Sequence, residues 1–228
     1  MKKVCCHAFG PPENLQRIEV DVPSPQANEA LVNISAAGVG FVDGLMMQGL
    51  YQVKPPLPYY PGSEFAGVVS EVGDSVINVQ PGDRVLGMAS SGAYADSIAV
   101  AATTLVKIPT NLSDAIAAGF YINYATALYG LRDCGHLKAG ETLLILGAAG
   151  GVGSSAISVA KAMGALVIAA ASSDEKRRAA LSFGADHTVD YTDPNWRQAL
   201  KELTKVSGLN MVYDPVGGDY SEPAIRGM

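Results

Sequence analysis

Apolar and polar residues alternate in short runs from Lys2 to about Pro109: KVCCHAF, QRIEVDV, EALVNIS, FAGVVSEV, DRVLGM, YADSIAV and TLVKIP, with turn residues between them. A period of two marks strands with one face buried. So many short strands in succession predict a compact, mostly antiparallel, barrel-like domain. The rhythm breaks twice. Gly38 to Gly49, GVGFVDGLMMQG, predicts a loop with a short helix, and Lys54 to Glu64, KPPLPYYPGSE, predicts a proline-fixed extended cover. From Asn111 to Leu131 the chain is alanine-rich, with Ser113 placed as an N-cap, and predicts one long helix.

Beyond this point the periodicity changes. Thr142 to Leu146 is a continuous apolar run, the pattern of a parallel strand covered on both faces. It leads through Gly147, Gly150, Gly151 and Gly153 into Val152, Ala156, Val159 and Met163 at helical spacing, stopped by Gly164. A strand then runs from Leu166 to Ala171, followed by a helix from about Asp174 to Phe183, with Ser172 and Glu175 at capping-box spacing and Gly184 at its end. His187 to Tyr191 is a third strand. Asp193 and Pro194 open a helix with Trp196, Leu200 and Leu203 on one face. Leu209 to Tyr213 is a fourth strand, closing on Asp214, Pro215, Gly217 and Gly218. Strands alternating with helices predict a doubly wound parallel sheet. The expected division is 1–112 for the β-rich domain and 113–228 for the α/β domain.

Strand, glycine turn and helix in this order form the context of a dinucleotide-binding fingerprint. A pyrophosphate sits there against backbone N–H groups at the positive end of the helix, and a Cβ would hold it away. Ala148, Gly150 and Gly153 occupy the three positions of G-x-G-x-x-G, alanine standing for the first glycine; a glycine-rich packing turn is the plain alternative. An NAD site expects an acid at the end of the second strand. Here that strand ends in Ala169, Ala170 and Ala171, Ser172 and Ser173 follow, and Lys176 and Arg177 lie in the next helix. Hydroxyls and cations favour the 2′-phosphate of NADP, with Asp174 as the rival NAD acid set a few residues on.

Composition narrows the class. The chain has 228 residues, 48% hydrophobic and 17% charged, with net charge −6, enough to bury a substantial core. Its 16 Lys and Arg form no basic run, which argues against a nucleic-acid partner. Thr142 to Ala160 carries no charge, but its glycines and serines argue against a membrane span. The start lacks a signal peptide's apolar region, and Cys5, Cys6 and Cys134 are few and odd in number; a cytoplasmic location is the expectation. Cys5 and Cys6 point to opposite faces of a strand and are poorly placed to share a metal.

YYPGSEFAGVV and PGDRV in the first half, GAAGGVG in the glycine turn and YDPVGG near the last strand occur in an order that resembles the zinc-independent quinone oxidoreductase group of the medium-chain dehydrogenase/reductase superfamily. The resemblance implies an α+β GroES-like barrel domain followed by an α/β Rossmann domain, with the active site in the cleft between them. It implies NADPH-dependent hydride transfer to a small-molecule quinone, enone or related activated carbonyl compound, and a homodimer in full-length members. Zinc-dependent relatives carry a cysteine in the early loop and a Gly-His-Glu motif. The corresponding stretches here are GVGFVD and Gly62, Ser63, Glu64, so no metal is expected and carbonyl polarisation falls to hydrogen bonds.

By position, Ala148, Gly150, Gly151, Val152 and Gly153 match the family's phosphate loop, and Ser173, Lys176 and Tyr191 match residues that grip the 2′-phosphate. Thr126 matches a residue near the nicotinamide, and Asp43 and Tyr51 match positions lining the substrate cleft, where they are the catalytic candidates. Gly40 replaces the asparagine of the family's Asn-Phe-x-Asp. An enoyl-thioester reductase of the same fold and a catalytically silent dinucleotide-binding protein are the alternative functions. Family members continue past the fourth strand, so an incomplete sheet, holding strands 1 to 4 of the order 3-2-1-4-5-6, is expected, and with it marginal stability.

Overall fold

Seven strands form between Lys2 and Lys107, where the alternation predicts them: β1 (Lys2–Cys6), β2 (Leu15–Glu19), β3 (Glu29–Ala37), β4 (Glu64–Val72), β5 (Arg84–Met88), β6 (Ser97–Ala101) and β7 (Leu105–Lys107). The structure is a computed structural model that describes residues 1–228. β1 pairs with β2, and the other strands form one antiparallel sheet in the order β6-β3-β4-β5-β7. Neighbouring residues of a strand go to opposite faces. Phe65, Val69 and Val85 therefore join Val32, Ile98 and Leu105 in one core, whereas Ala66 and Leu86 face Ile108, Ala117 and Ala118 on the other side. The loop after β3 carries α1 (Phe41–Met47), as expected, and the second face of the sheet is covered by α2 (Asp114–Ala118).

Ser113 caps α2, its Oγ accepting from the Ile116 N–H at 3.4 Å. The single long helix expected from Asn111 to Leu131 does not form. At Gly119 the backbone leaves helical geometry, with φ −101° and ψ 11°, and a new helix, α3 (Tyr121–Leu128), follows and runs into π-helical turns at Tyr129–Cys134. Glycine has the weakest hold on helical geometry after proline, so an alanine-rich pattern yields there. The chain forms two compact units, Met1–Ile122 and Asn123–Met228. Residues 113–122, grouped by sequence with the second half, lie in the first unit because α2 packs on β3, β4 and β5. Arg84 secures the same stretch. Its Nη1 donates to the carbonyls of Pro109 at 3.3 Å and Thr110 at 3.4 Å, and its Nη2 donates to the Leu112 carbonyl at 2.7 Å and to Asp114 Oδ1 at 2.5 Å. The hydrogen bond from Arg84 holds the Asp114 carboxyl below the usual carboxylate range.

In the second unit β8 (Thr142–Ile145), α4 (Gly151–Ala162), β9 (Leu166–Ala170), α5 (Asp174–Ser182), β10 (His187–Val189), α6 (Trp196–Leu203), β11 (Met211–Tyr213) and α7 (Ser221–Ile225) follow in turn. The four strands are parallel in the order β10-β9-β8-β11, the expected 3-2-1-4. Leu143 and Ile145 face α4, and Leu144 and Leu146 face Trp196 and Leu200 of α6, so β8 shows no alternation because both its faces are covered. β11 is an edge strand whose residues are half-buried. The uncharged stretch from Thr142 to Ala160 resolves into β8, a turn and α4, and no helix is long and apolar enough to cross a membrane.

Two expected caps are shifted by local hydrogen bonding. Ser173, not Ser172, caps α5, and α6 begins after Asn195 because Asp193 and Pro194 form a preceding turn in which Asp193 Oδ1 accepts from the Asn195 N–H at 2.7 Å.

The tightest strand contact gives a test of the first sheet. A Cβ on Gly67 would lie 2.1 Å from the Asn33 carbonyl oxygen of the adjacent strand. Gly67→Ala is expected to destabilise the chain by about 1 to 3 kcal/mol, read as a lower unfolding midpoint in denaturant with an unchanged slope.

Candidate functional site

In the second unit the polar groups gather at the carboxyl ends of β8, β9 and β10, the side of an open parallel sheet where ligands bind. The chain leaves β8 through Gly147, whose φ of +59° is the left-handed conformation that favours glycine. Ala148 then needs no special backbone. It is buried, its N–H donates to the Ala170 carbonyl at 3.1 Å, and a methyl group is accommodated where the fingerprint has its first glycine. Gly153 has no such freedom, since a Cβ there would lie 2.4 Å from the Gly147 oxygen and 2.8 Å from Ala148 Cα. Gly150 and Gly151 are exposed, and no side chain caps the N-terminus of α4 behind them. Val152 is half-buried beside them. The result is an exposed glycine turn at the positive pole of α4, with the Asn123 carboxamide beside Gly151, where a Cβ would lie 3.0 Å from Asn123 Oδ1.

The end of β9 flanks this turn. Ser173 Oγ accepts from the Lys176 N–H at 3.3 Å, and Lys176 Nζ donates to Ser172 Oγ at 3.4 Å from an exposed position. Arg177 is committed elsewhere: Nη1 donates to the Ala171 carbonyl at 3.2 Å and pairs with Asp190 Oδ2 at 2.6 Å, while Nη2 pairs with Asp174. Of the two cations noted in the sequence, Lys176 alone has no carboxylate partner, and the rival acid Asp174 already has one. Hydrogen bonds from Thr192, with Arg177 assisting, hold the Asp190 carboxyl low. Tyr191 packs its ring on Tyr220 with centroids 4.6 Å apart, and Thr126 is exposed on α3.

In the first unit Asp43 is buried in α1. Its Oδ2 accepts from the Gly40 N–H at 2.8 Å, the reach-back half of a capping box, and its Oδ1 accepts from Ser63 Oγ at 3.4 Å. The backbone at Gly40 is ordinary, with φ −105°, and a Cβ would meet Asp43 Oδ2 at 3.4 Å, so the conformation does not require glycine there. Tyr51 is half-buried in the turn after α1 and makes no hydrogen bond to Asp43. Three further groups join Asp43. Glu64, 4% exposed, accepts from the Ile122 N–H at 2.9 Å. Its carboxyl is pushed up by burial and by the charge of Asp43, against the hydrogen bonds from Ile122 and Tyr121. The hydroxyl of Tyr94 is buried and faces Asp43 without a hydrogen bond of good geometry; burial first, then Asp43, raises its pKa strongly. Tyr59, pushed up to about 12 by burial, Asp43 and Cys6, places its Oη 3.7 Å from Met46 Sδ. By position Glu64 matches the glutamate of the Gly-His-Glu motif, which without a metal suggests a structural role; its burial beside Asp43 and its contact with α3 are not visible in the sequence, and Tyr94 gives no sequence signal.

Residues 26–110 match the family described as alcohol dehydrogenase GroES-like domain, and residues 151–228 match that described as zinc-binding dehydrogenase. The chain is 38% identical over 224 residues to quinone oxidoreductase-like protein 2 of Rattus norvegicus, covering 98% of this chain and 63% of that protein. A probable oxidoreductase of Mycobacterium abscessus superposes with a TM-score of 0.91 at 38% identity, covering 100% of this chain and 72% of that one. Quinone oxidoreductase of Escherichia coli, crystallised with NADPH, gives a TM-score of 0.91 at 34% identity, covering 100% and 70%. With its GroES-like and Rossmann-like units, and serine where zinc-dependent members have histidine, the chain belongs to the zinc-independent quinone oxidoreductase group of the medium-chain dehydrogenase/reductase superfamily. It spans just under two thirds of the length of the rat protein.

The raised pKa of Glu64 fixes the sign of a pH effect. Burial penalises the charged form, so the penalty is fully present above the folded-state pKa and gone below the ordinary value of 4.5. Glu64→Gln does not titrate. The melting temperature of this variant minus that of the wild type should rise with pH from 4.5 upward and then level off. A difference that stays flat from acid to neutral pH would show that Glu64 keeps an ordinary pKa.

Proposed function

We propose that the chain binds NADPH and reduces a small-molecule quinone or related enone by hydride transfer without zinc. The observation that carries this reading is the exposed glycine turn at the start of α4 beside a β9 end that offers hydroxyls and Lys176, a cation without a carboxylate partner, in place of an acid. The residues fit the cofactor. Gly150, Gly151, Val152 and Gly153 present the backbone of an uncapped helix N-terminus to the pyrophosphate while Ala148 anchors the turn to β9. Ser173 and Lys176 suit a 2′-phosphate, with Tyr191 on the adenosine side. Asp174, the alternative partner for a ribose hydroxyl, is occupied by Arg177, which weighs against NAD.

When bound, NADPH supplies the hydride. The residues of the chain bind, orient and polarise. Thr126 is the exposed α3 residue assigned to the nicotinamide. The Tyr51 hydroxyl has no internal partner and is available as a donor to an acceptor's carbonyl oxygen, and Asp43 is held in place by Gly40 and Ser63. These hydrogen bonds take the part that a Lewis acid plays in zinc-dependent relatives. The NADPH complex of the similar Escherichia coli enzyme supports the choice of cofactor; a homodimer and a cytoplasmic setting are further parts of the proposal.

Titration should give tighter binding of NADPH than of NADH. Lys176→Ala should weaken NADPH at least about tenfold, the worth of a hydrogen bond to a charged group, and leave NADH unchanged. NADPH absorbance followed with a panel of quinones, enones and an enoyl thioester identifies the acceptor. Equal affinity for the two cofactors sinks the cofactor assignment, and tight NADPH binding with no turnover of any acceptor leaves a silent binding protein.

A further inference from the structure

We propose that Glu64 is a positioning residue of the Asp43 site, its carboxylate serving as the N-cap of α3 from a distant part of the chain. The residues ahead of α3 are Gly119 and Phe120, and neither side chain carries the oxygen that caps a helix. Glu64 supplies it. Its Oε2 accepts from the Ile122 N–H at 2.9 Å, and the Tyr121 N–H also donates to the carboxylate, so two first-turn donors of α3 end on one side chain. The carboxylate also sits at the positive pole of that helix, where negative charge is favoured.

The loop leading to Asp43 closes on the same group. A Cβ on Gly38 would lie 2.6 Å from Glu64 Cγ and Oε1 and 2.5 Å from the Ala118 oxygen, and the Gly38 N–H donates to the Glu64 carbonyl at 3.0 Å. One buried side chain thus fixes the start of β4, the loop from Gly38 to Asp43, and the first turn of the helix in which the first unit ends and the second begins. The groups facing it are Asp43 from α1, Tyr94 from the loop before β6 and the backbone N–H groups of α3, and no cation pairs with it. A buried carboxylate without a cation is costly, and a neutral side chain would fill the same volume with less desolvation. Keeping the charge at this place is the pattern of a site constraint rather than a packing one.

For its kinetic part the inference rests on the reductase reading. The test uses the whole chain carrying Glu64→Ala or Glu64→Gln, the second retaining an acceptor oxygen. Hydrogen exchange at the Tyr121 and Ile122 amides, NADPH affinity, and the pH profile of kcat with a quinone are measured together. Glu64→Ala should speed exchange at both amides by at least about tenfold and lower kcat by about a hundredfold, as misplacement of reacting groups does, with NADPH affinity unchanged. Glu64→Gln should restore amide protection and most of kcat while altering the pH profile. Wild-type protection of these amides in Glu64→Ala overturns the inference, as does an unchanged kcat or a folded Glu64→Gln that rescues neither. If Glu64→Ala does not fold, loss of protection in Glu64→Gln overturns it. A wild-type chain that reduces no acceptor refutes the reductase reading instead, and amide exchange then decides on Glu64 alone.

Discussion

The second unit depends on one contact that leaves no room for a side chain, that of Gly153 against the Gly147 carbonyl. Because the helix comes this close to the turn, α4 follows β8 after one short turn and packs on the sheet, where Ala156 and Ala160 bury with Leu143, Ile145 and Val167. Small residues on α4 meet larger apolar ones on β8 and β9 in one buried cluster. On the other side of the same turn Gly150 and Gly151 stay exposed, with the Asn123 carboxamide beside Gly151. Packing and ligand access are therefore two results of one steric condition.

The first unit obeys a different constraint. Its sheet hides apolar residues on both faces, yet at one end it also buries Asp43 and Glu64, two carboxylates in mutual repulsion, together with the unbonded hydroxyl of Tyr94. Backbone N–H groups from Gly40 and Ile122, and the Ser63 hydroxyl, supply the stabilisation that a metal or a guanidinium provides elsewhere. Polar burial of this kind favours one arrangement of the surrounding loops strongly, because any other leaves a charge without partners.

Much of this was legible in the sequence, and the failures have local causes. Period-two alternation located all seven strands of the first unit, and the apolar run ahead of Gly147 located β8, because burial on one face or two writes itself into residue order. The 3-2-1-4 order followed from recognising the dinucleotide-binding fold by its glycine turn, since alternating strands and helices alone do not fix which strands are neighbours. Helix ends were read less well. Ser172 and Ser173 are chemically equal as caps, and only the tertiary course of β9 decides for Ser173; Gly119 breaks a helix that its alanine neighbours would continue. At the site, glycines and cations were visible as types, but the commitment of Arg177 to Asp190 required the third strand to be in place, and the contact of Glu64 with Ile122 joins residues 58 positions apart. Long-range hydrogen bonds of that sort leave no period in the sequence.

The guanidinium of Arg84 serves four acceptors between Pro109 and Asp114, all at the point where the chain leaves the first sheet. A planar fork with five donors spans such a row, whereas an ammonium group concentrates its donors at a point and reaches one or two of them. The carbonyls it holds would otherwise need water, so this exit behaves as a single joint that opens as a whole or stays shut. A protease meeting the folded chain would find at Pro109 to Asp114 no stepwise fraying to exploit, although the segment lies in a connection between strand and helix and looks, by composition, like a place to cut.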